Sequence, residues 1–215
     1  MTKKTLQLLA TAAIVAGFGF TAVTANADTT PATDSHDTVA QVNLTPGDPS
    51  TGAGGIQLLS APDVSFSGKL DGNTQTFTDG IFTTNANSVN KDAAAGTVTV
   101  NDPGTASGWN VQVASSAFVG SDEKTPLNAS EMTFGAPAVT PLDSTNKGTV
   151  DAGSALTFAS AGQTNQLVFK AATGQGVGTW MANYAAKDAS FKVAAGNKAD
   201  TYTSKLTWTL TNTPA

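Results

Sequence analysis

Few side chains in this chain of 215 residues carry the means for covalent chemistry. His36 is the single histidine and lies in a Thr-, Asp- and Pro-rich stretch. A Ser-His-Asp arrangement or a histidine-ligated metal would need that stretch to fold back onto a domain. Cysteine is absent, which removes thiol nucleophiles and thiolate metal sites. Glu123 and Glu131, together with the aspartates, leave a carboxylate pair of the glycoside-hydrolase kind formally open. Both glutamates lie near expected loops, however, where solvation accounts for them. Asp122-Glu123 is too short a run for the spaced oxygen ligands of a calcium loop. Gly174, Gly176 and Gly178 fall as G-x-G-x-G without the lysine of a phosphate loop or a surrounding βαβ pattern, so a tight turn before Trp180 suffices. What remains is binding chemistry. The indoles of Trp109 and Trp208 have flat apolar faces that could stack on a sugar, or they could fill the space between sheets. Thr203, Thr207, Thr209 and Thr211 line up around Lys205 as a row of hydroxyls able to hydrogen-bond a glycan, or simply to face solvent as β-favouring residues. The reading is a non-catalytic chain with no cofactor and no metal.

The elements that must position these residues are strands. Tyr202, Ser204, Leu206, Trp208 and Leu210 share one parity, and Thr203, Lys205, Thr207, Thr209 and Thr211 the other, which predicts a half-buried strand over 202–211. Trp109 shares a face with Val111 and Val113 in the same way. Further strands are predicted at 56–59, 64–66, 75–78, 97–100, 131–134, 155–158, 166–170, 180–184 and 190–193, with Pro62 splitting the first two. Asp71-Gly72-Asn73, Asp79-Gly80, Asp102-Pro103-Gly104, Asn146-Lys147-Gly148 and Ala195-Gly196-Asn197 supply turns between them. Strands about 10 residues apart with little helical periodicity predict an all-β fold, a β-sandwich of short antiparallel strands. A helix over 182–189 is the minority alternative. Trp109 and Trp208 sit on two strands that could meet.

Lys3 and Lys4, the apolar or small run from Leu8 to Phe20 and the small-x-small site Ala25-Asn26-Ala27 read as a secretory signal peptide over residues 1–27. Residues 28–54 read as a flexible Thr/Pro/Gly-rich linker and 55–215 as one domain. After cleavage, nine of the 11 basic residues remain, all lysine, against 16 Asp and Glu, a formal net charge of −7. An acidic chain without arginine lacks the planar donors suited to phosphate, which argues against nucleic acid. No segment of the mature chain is apolar for long enough to span a membrane. Without disulfides, stability must come from the core.

Tyr202, Leu206-Thr207-Trp208-Thr209-Leu210 and Pro214 sit at the offsets of the distal motif of the WxL domain family, which they resemble. Trp109-Asn110-Val111 is similar to that family's upstream Trp-x-Leu, with valine for leucine, and the glycine-rich run ending at Trp180 also looks like it. The resemblance covers about residues 55–214. It implies a protein of Gram-positive bacteria that is secreted to the cell surface and held non-covalently on the peptidoglycan of the wall, with other surface proteins as further partners. An adaptor subunit that binds another surface protein is the alternative it leaves open. The motif residues it implies are Trp109, Val111, Trp180, Tyr202, Leu206, Thr207, Trp208, Leu210 and Pro214.

Overall fold

The computed structural model of the chain describes residues 39–45 and 55–214. The expected signal peptide, His36 and all of the expected linker except 39–45 lie outside the described residues. Residues 39–45 are exposed and without regular structure.

Fourteen strands follow: β1 (Gln57–Ser60), β2 (Pro62–Ser65), β3 (Gln75–Thr78), β4 (Ile81–Thr84), β5 (Thr97–Asp102), β6 (Trp109–Ser115), β7 (Glu131–Phe134), β8 (Ala138–Pro141), β9 (Asp151–Ala152), β10 (Leu156–Ala159), β11 (Gln163–Ala171), β12 (Gly178–Asn183), β13 (Ala189–Val193) and β14 (Leu206–Thr211). All pairings are antiparallel. They form three four-stranded sheets, ordered β1-β5-β12-β8, β10-β7-β13-β3 and β14-β6-β11-β9, and a ribbon of β2 with β4. The expected all-β class holds.

Several boundaries differ from the sequence reading, each for a local reason. Pro62 opens β2 instead of separating two strands, because the first position of a strand tolerates the missing N–H. β8 was not anticipated; its Pro141 marks it as the edge strand it proves to be. β4 sets exposed Ile81 beside buried Phe82 and so shows no apolar alternation, and the two-residue β9 is too short for a period. The strand expected over 180–184 forms as β12, and of the minority alternative, a helix over 182–189, there is one 3₁₀ turn, Ala186–Asp188, between β12 and β13. The last strand starts at Leu206, not Tyr202, since upstream of it only Thr203 pairs, through a single bridge with Val119.

Turn signals act as read. Asp71, Asp102 and Asn146 each accept the backbone N–H two residues on, at 2.9 Å. The sheets enclose one apolar core that includes Val98, Val100, Phe134, Phe158, Val168 and Phe169. Phe134 joins Phe82, Phe158 and Tyr184 at ring-centroid distances of 5.3–5.5 Å in edge or tilted contacts. Burial pushes the Tyr184 phenol above its usual range.

Candidate functional site

The two motifs are neighbours in one sheet. β14 runs antiparallel to β6 with Trp208 opposite Val113, Leu210 opposite Val111 and Thr211 opposite Asn110. Their ends are tied across about 100 residues of sequence. Ser107 Oγ donates to Asn212 Oδ1 at 2.6 Å, and Asn110 Nδ2 donates to the Thr213 carbonyl at 2.8 Å. Gly108, at φ +80°, leaves the space that Pro214 fills: a Cβ there would sit 2.8 Å from Pro214 Cγ. Pro214, itself exposed, thus seats the end of β14 on the residue before Trp109.

Trp109 and Trp180 are structural. Both are buried, and each indole N–H is taken by the glycine-rich run between them. Trp109 Nε1 donates to the Gly176 carbonyl at 3.2 Å and Trp180 Nε1 to the Val177 carbonyl at 3.1 Å. Gly176, at φ +77°, admits no side chain because a Cβ would lie 2.6 Å from Trp109 Nε1. The run that the sequence presents as a turn is therefore an acceptor for two buried indoles. Trp109 also meets Phe169 edge-on at 5.0 Å. Val111 is buried beside it. The loop leading to Trp109 hangs on Asp102, fully buried at the end of β5. Its carboxylate accepts from the N–H groups of Gly104, Thr105 and Ala106 and from the Thr105 hydroxyl, at 2.7–3.2 Å. The sequence marked Asp102-Pro103-Gly104 as a turn but held no sign that the carboxylate is interior.

Trp208 differs. β14 is the outer strand of its sheet, and Leu206, Trp208 and Leu210 pack on the core while remaining partly exposed. Thr207, Thr209 and Thr211 are exposed on the opposite face. Ser116 N–H donates to the Lys205 carbonyl at 2.9 Å, so by antiparallel alternation the backbone groups of Thr207, Thr209 and Thr211 serve β6. Those of Leu206, Trp208 and Leu210 point outward from the sheet.

Beside the start of β14 lies a groove of about 790 Å³. Phe77, Met132, Phe191 and Val193 come to it from the β10-β7-β13-β3 sheet, with Phe118 against Phe191 at 5.1 Å. Phe66 to Leu70 line one part of it and Lys198 to Ser204 with Leu206 another. Tyr202 presents its ring there and donates its hydroxyl to the Lys198 carbonyl at 3.2 Å. Ser65, Ser67, Thr201, Thr203 and Ser204 also line it. Aromatic faces among hydroxyls, with Lys69 and Lys198 as cations, suit a ligand that is part apolar and part hydrogen-bonding.

A comparison with protein families decides what kind of chain this is. The model described as "WxL domain surface cell wall-binding" matches residues 15–214. The chain belongs to the WxL domain family. It is accordingly a cell-surface, wall-binding protein. The match begins upstream of residue 55, where the resemblance of the motifs set in. No curated protein and no solved structure matches the chain.

Within this WxL domain the carboxylates considered for catalysis are apart in role. Glu123 sits in a turn closed by its own N–H on the Gly120 carbonyl, at φ +57°, and Glu131 is exposed on β7 opposite Lys192. Beside Glu123, Asp122 is held down to about 2 by the Thr125 hydroxyl and by the backbone N–H groups of Thr125 and Lys124. Asp200, at the groove, is lowered by hydrogen bonds from Ser121 and from the Thr201 N–H. Among the described residues no group of three or more His, Cys, Asp or Glu is placed to hold a metal, and no helix is long and apolar enough to cross a membrane.

Proposed function

We propose that this WxL domain binds wall peptidoglycan directly and without catalysis, with Tyr202, Leu206 and Trp208 as contact residues and Trp109, Val111 and Trp180 as the frame behind them. The observation that carries this reading is the groove: an aromatic and hydroxyl-lined concavity bordered by two residues of the distal motif, on a chain whose family is wall-binding. Thr207 and Leu210 extend the same edge, and Pro214 holds its end. The test is co-sedimentation of the secreted chain with wall sacculi stripped of teichoic acids and proteins. Tyr202→Ala and Trp208→Ala are expected to remain folded by circular dichroism and to bind roughly tenfold more weakly, the equivalent of about 1.4 kcal/mol. Unchanged retention in both would remove the groove and its edge from the contact.

The open edge of β14 favours a second reading, an adaptor that pairs with another surface protein. Failure of the unaltered chain to sediment with stripped sacculi would favour that reading.

Charge supplies a further expectation. At −7 the secreted chain is repelled by anionic wall polymers, so retention on unstripped walls should be greater at pH 5 than at pH 8, with the difference shrinking as salt rises. Unfolding does not confuse the comparison. Asp71, Asp122, Asp143 and Asp200 all have folded values lowered from 3.8, so the stability they contribute is present above that value and is lost only as pH falls through their folded values, to about 2 for Asp122. Equal retention at the two pH values would count against an electrostatic barrier.

A further inference from the structure

We infer that the exposed segment Val39–Thr45 of one copy of this chain adds as a strand to the open edge of β14 in a second copy. The donor reads Val-Ala-Gln-Val-Asn-Leu-Thr. Ala40, Val42 and Leu44 share one parity and Val39, Gln41, Asn43 and Thr45 the other, so that after Val39 the segment alternates as a strand with one face to bury. Among the described residues nothing covers that face. Val42 is 76% and Leu44 83% exposed, and the segment pairs with no strand.

The acceptor offers what this pattern lacks. β14 ends its sheet, and the N–H and C=O groups of Leu206, Trp208 and Leu210 point out of the ladder. On one face of that edge three apolar side chains are only partly covered, and on the other are exposed threonines. A strand laid along it places Ala40, Val42 and Leu44 over the first and Gln41, Asn43 and Thr45 beside the second. Seven residues at about 3.3 Å each span about 23 Å, against about 20 Å for the six of β14. The occupant is a second copy because the matching segment belongs to this chain, while among the described residues of a single chain neither the segment nor the edge is paired. Donor and acceptor are different surfaces, so the contact is heterologous and repeats head to tail, giving rings or open rows of domains. Such rows multiply the wall contacts of each assembly, and linked contacts hold more strongly than single ones.

The test is read in solution without wall material, so its outcome is independent of the peptidoglycan reading. Sedimentation velocity of the secreted chain is expected to give a mass that rises from one copy to several with concentration. A donor variant, Val42→Asp with Leu44→Asp, and an acceptor variant, Leu210→Pro, are each expected to stay at one copy. Leu210→Pro removes an outward N–H and leaves the ladder to β6 intact. Mixed in equal amounts, the two variants should form a dimer and nothing larger. Should Leu210→Pro fail to fold, a synthetic peptide of residues 39–45 serves instead and should return wild-type assemblies to single copies. A wild-type mass that does not change with concentration overturns the inference. So does assembly that survives in the donor variant. A constant mass with residues 39–45 protected from hydrogen exchange means that the segment closes on its own chain, and it overturns the second copy as occupant.

Discussion

Trp109→Ala is expected to destabilise the domain by about 3–5 kcal/mol, a large share of the roughly 5–15 kcal/mol by which a domain of this kind is stable. The indole is fully buried on β6 with β14 on one side and β11 on the other, edge-on to Phe169. Its removal opens a void between strands that pair on both sides and so cannot collapse freely. It also leaves the Gly176 carbonyl without its donor, loosening the run that holds Trp180 through Val177. A urea titration should show a lower midpoint at unchanged slope, and any wall retention lost would follow the unfolded fraction. Trp208→Ala is the contrast. Its side chain is only partly buried on an edge strand, so the loss is roughly 1–2 kcal/mol, and the variant should remain folded. A Trp109→Ala midpoint close to that of Trp208→Ala would show that the two motif tryptophans have the same role, against the assignment made for them.

Asp102→Ala should cost about 3 kcal/mol or more. The carboxylate accepts from three backbone N–H groups and one hydroxyl within the four residues that follow it, and its loss strands those donors in a partly buried loop. That loop contains Ala106, held at φ +51°, a conformation an alanine keeps only when its surroundings impose it. Downstream, Ser107 and Gly108 hold Asn212 and Pro214. The loosening should therefore reach the end of β14 and appear as faster hydrogen exchange at Leu210 and Thr211 as well as a lowered urea midpoint. Asp102→Asn keeps the shape and half of the accepting capacity and should fall between the two. An Asp102→Ala variant as stable as the wild type would show that water replaces the carboxylate at no cost.

Much of this arrangement is legible without coordinates because a strand writes its period into the sequence. The alternation from Tyr202 to Thr211 appears in the structure as partly buried and exposed residues in strict turn, even over 202–205 where regular pairing has not begun. The turns at Asp71, Asp102 and Asn146 follow from side chains that reach their own backbone two residues on. β4, with apolar Ile81 and Phe82 side by side, and the two-residue β9 leave no period to read. The groove is illegible for another reason: its lining comes from segments around residues 66, 77, 118, 132, 191 and 202, and no spacing links them.

By itself, then, the sequence determined the all-β class, the inward parity of β14 and of Trp109, Val111 and Val113 on β6, and the family, because these depend on residue types at short or fixed offsets. Only the tertiary structure decided which tryptophan is frame and which is surface. Trp109 and Trp208 have the same local signature, an indole between aliphatic residues on one strand face. Burial, however, depends on what lies on either side of the strand. β6 has neighbours on both sides and β14 on one, and those neighbours come from parts of the chain about 50 to 100 residues away. The same asymmetry leaves Trp208 partly exposed and the outward backbone of β14 at the edge of its sheet.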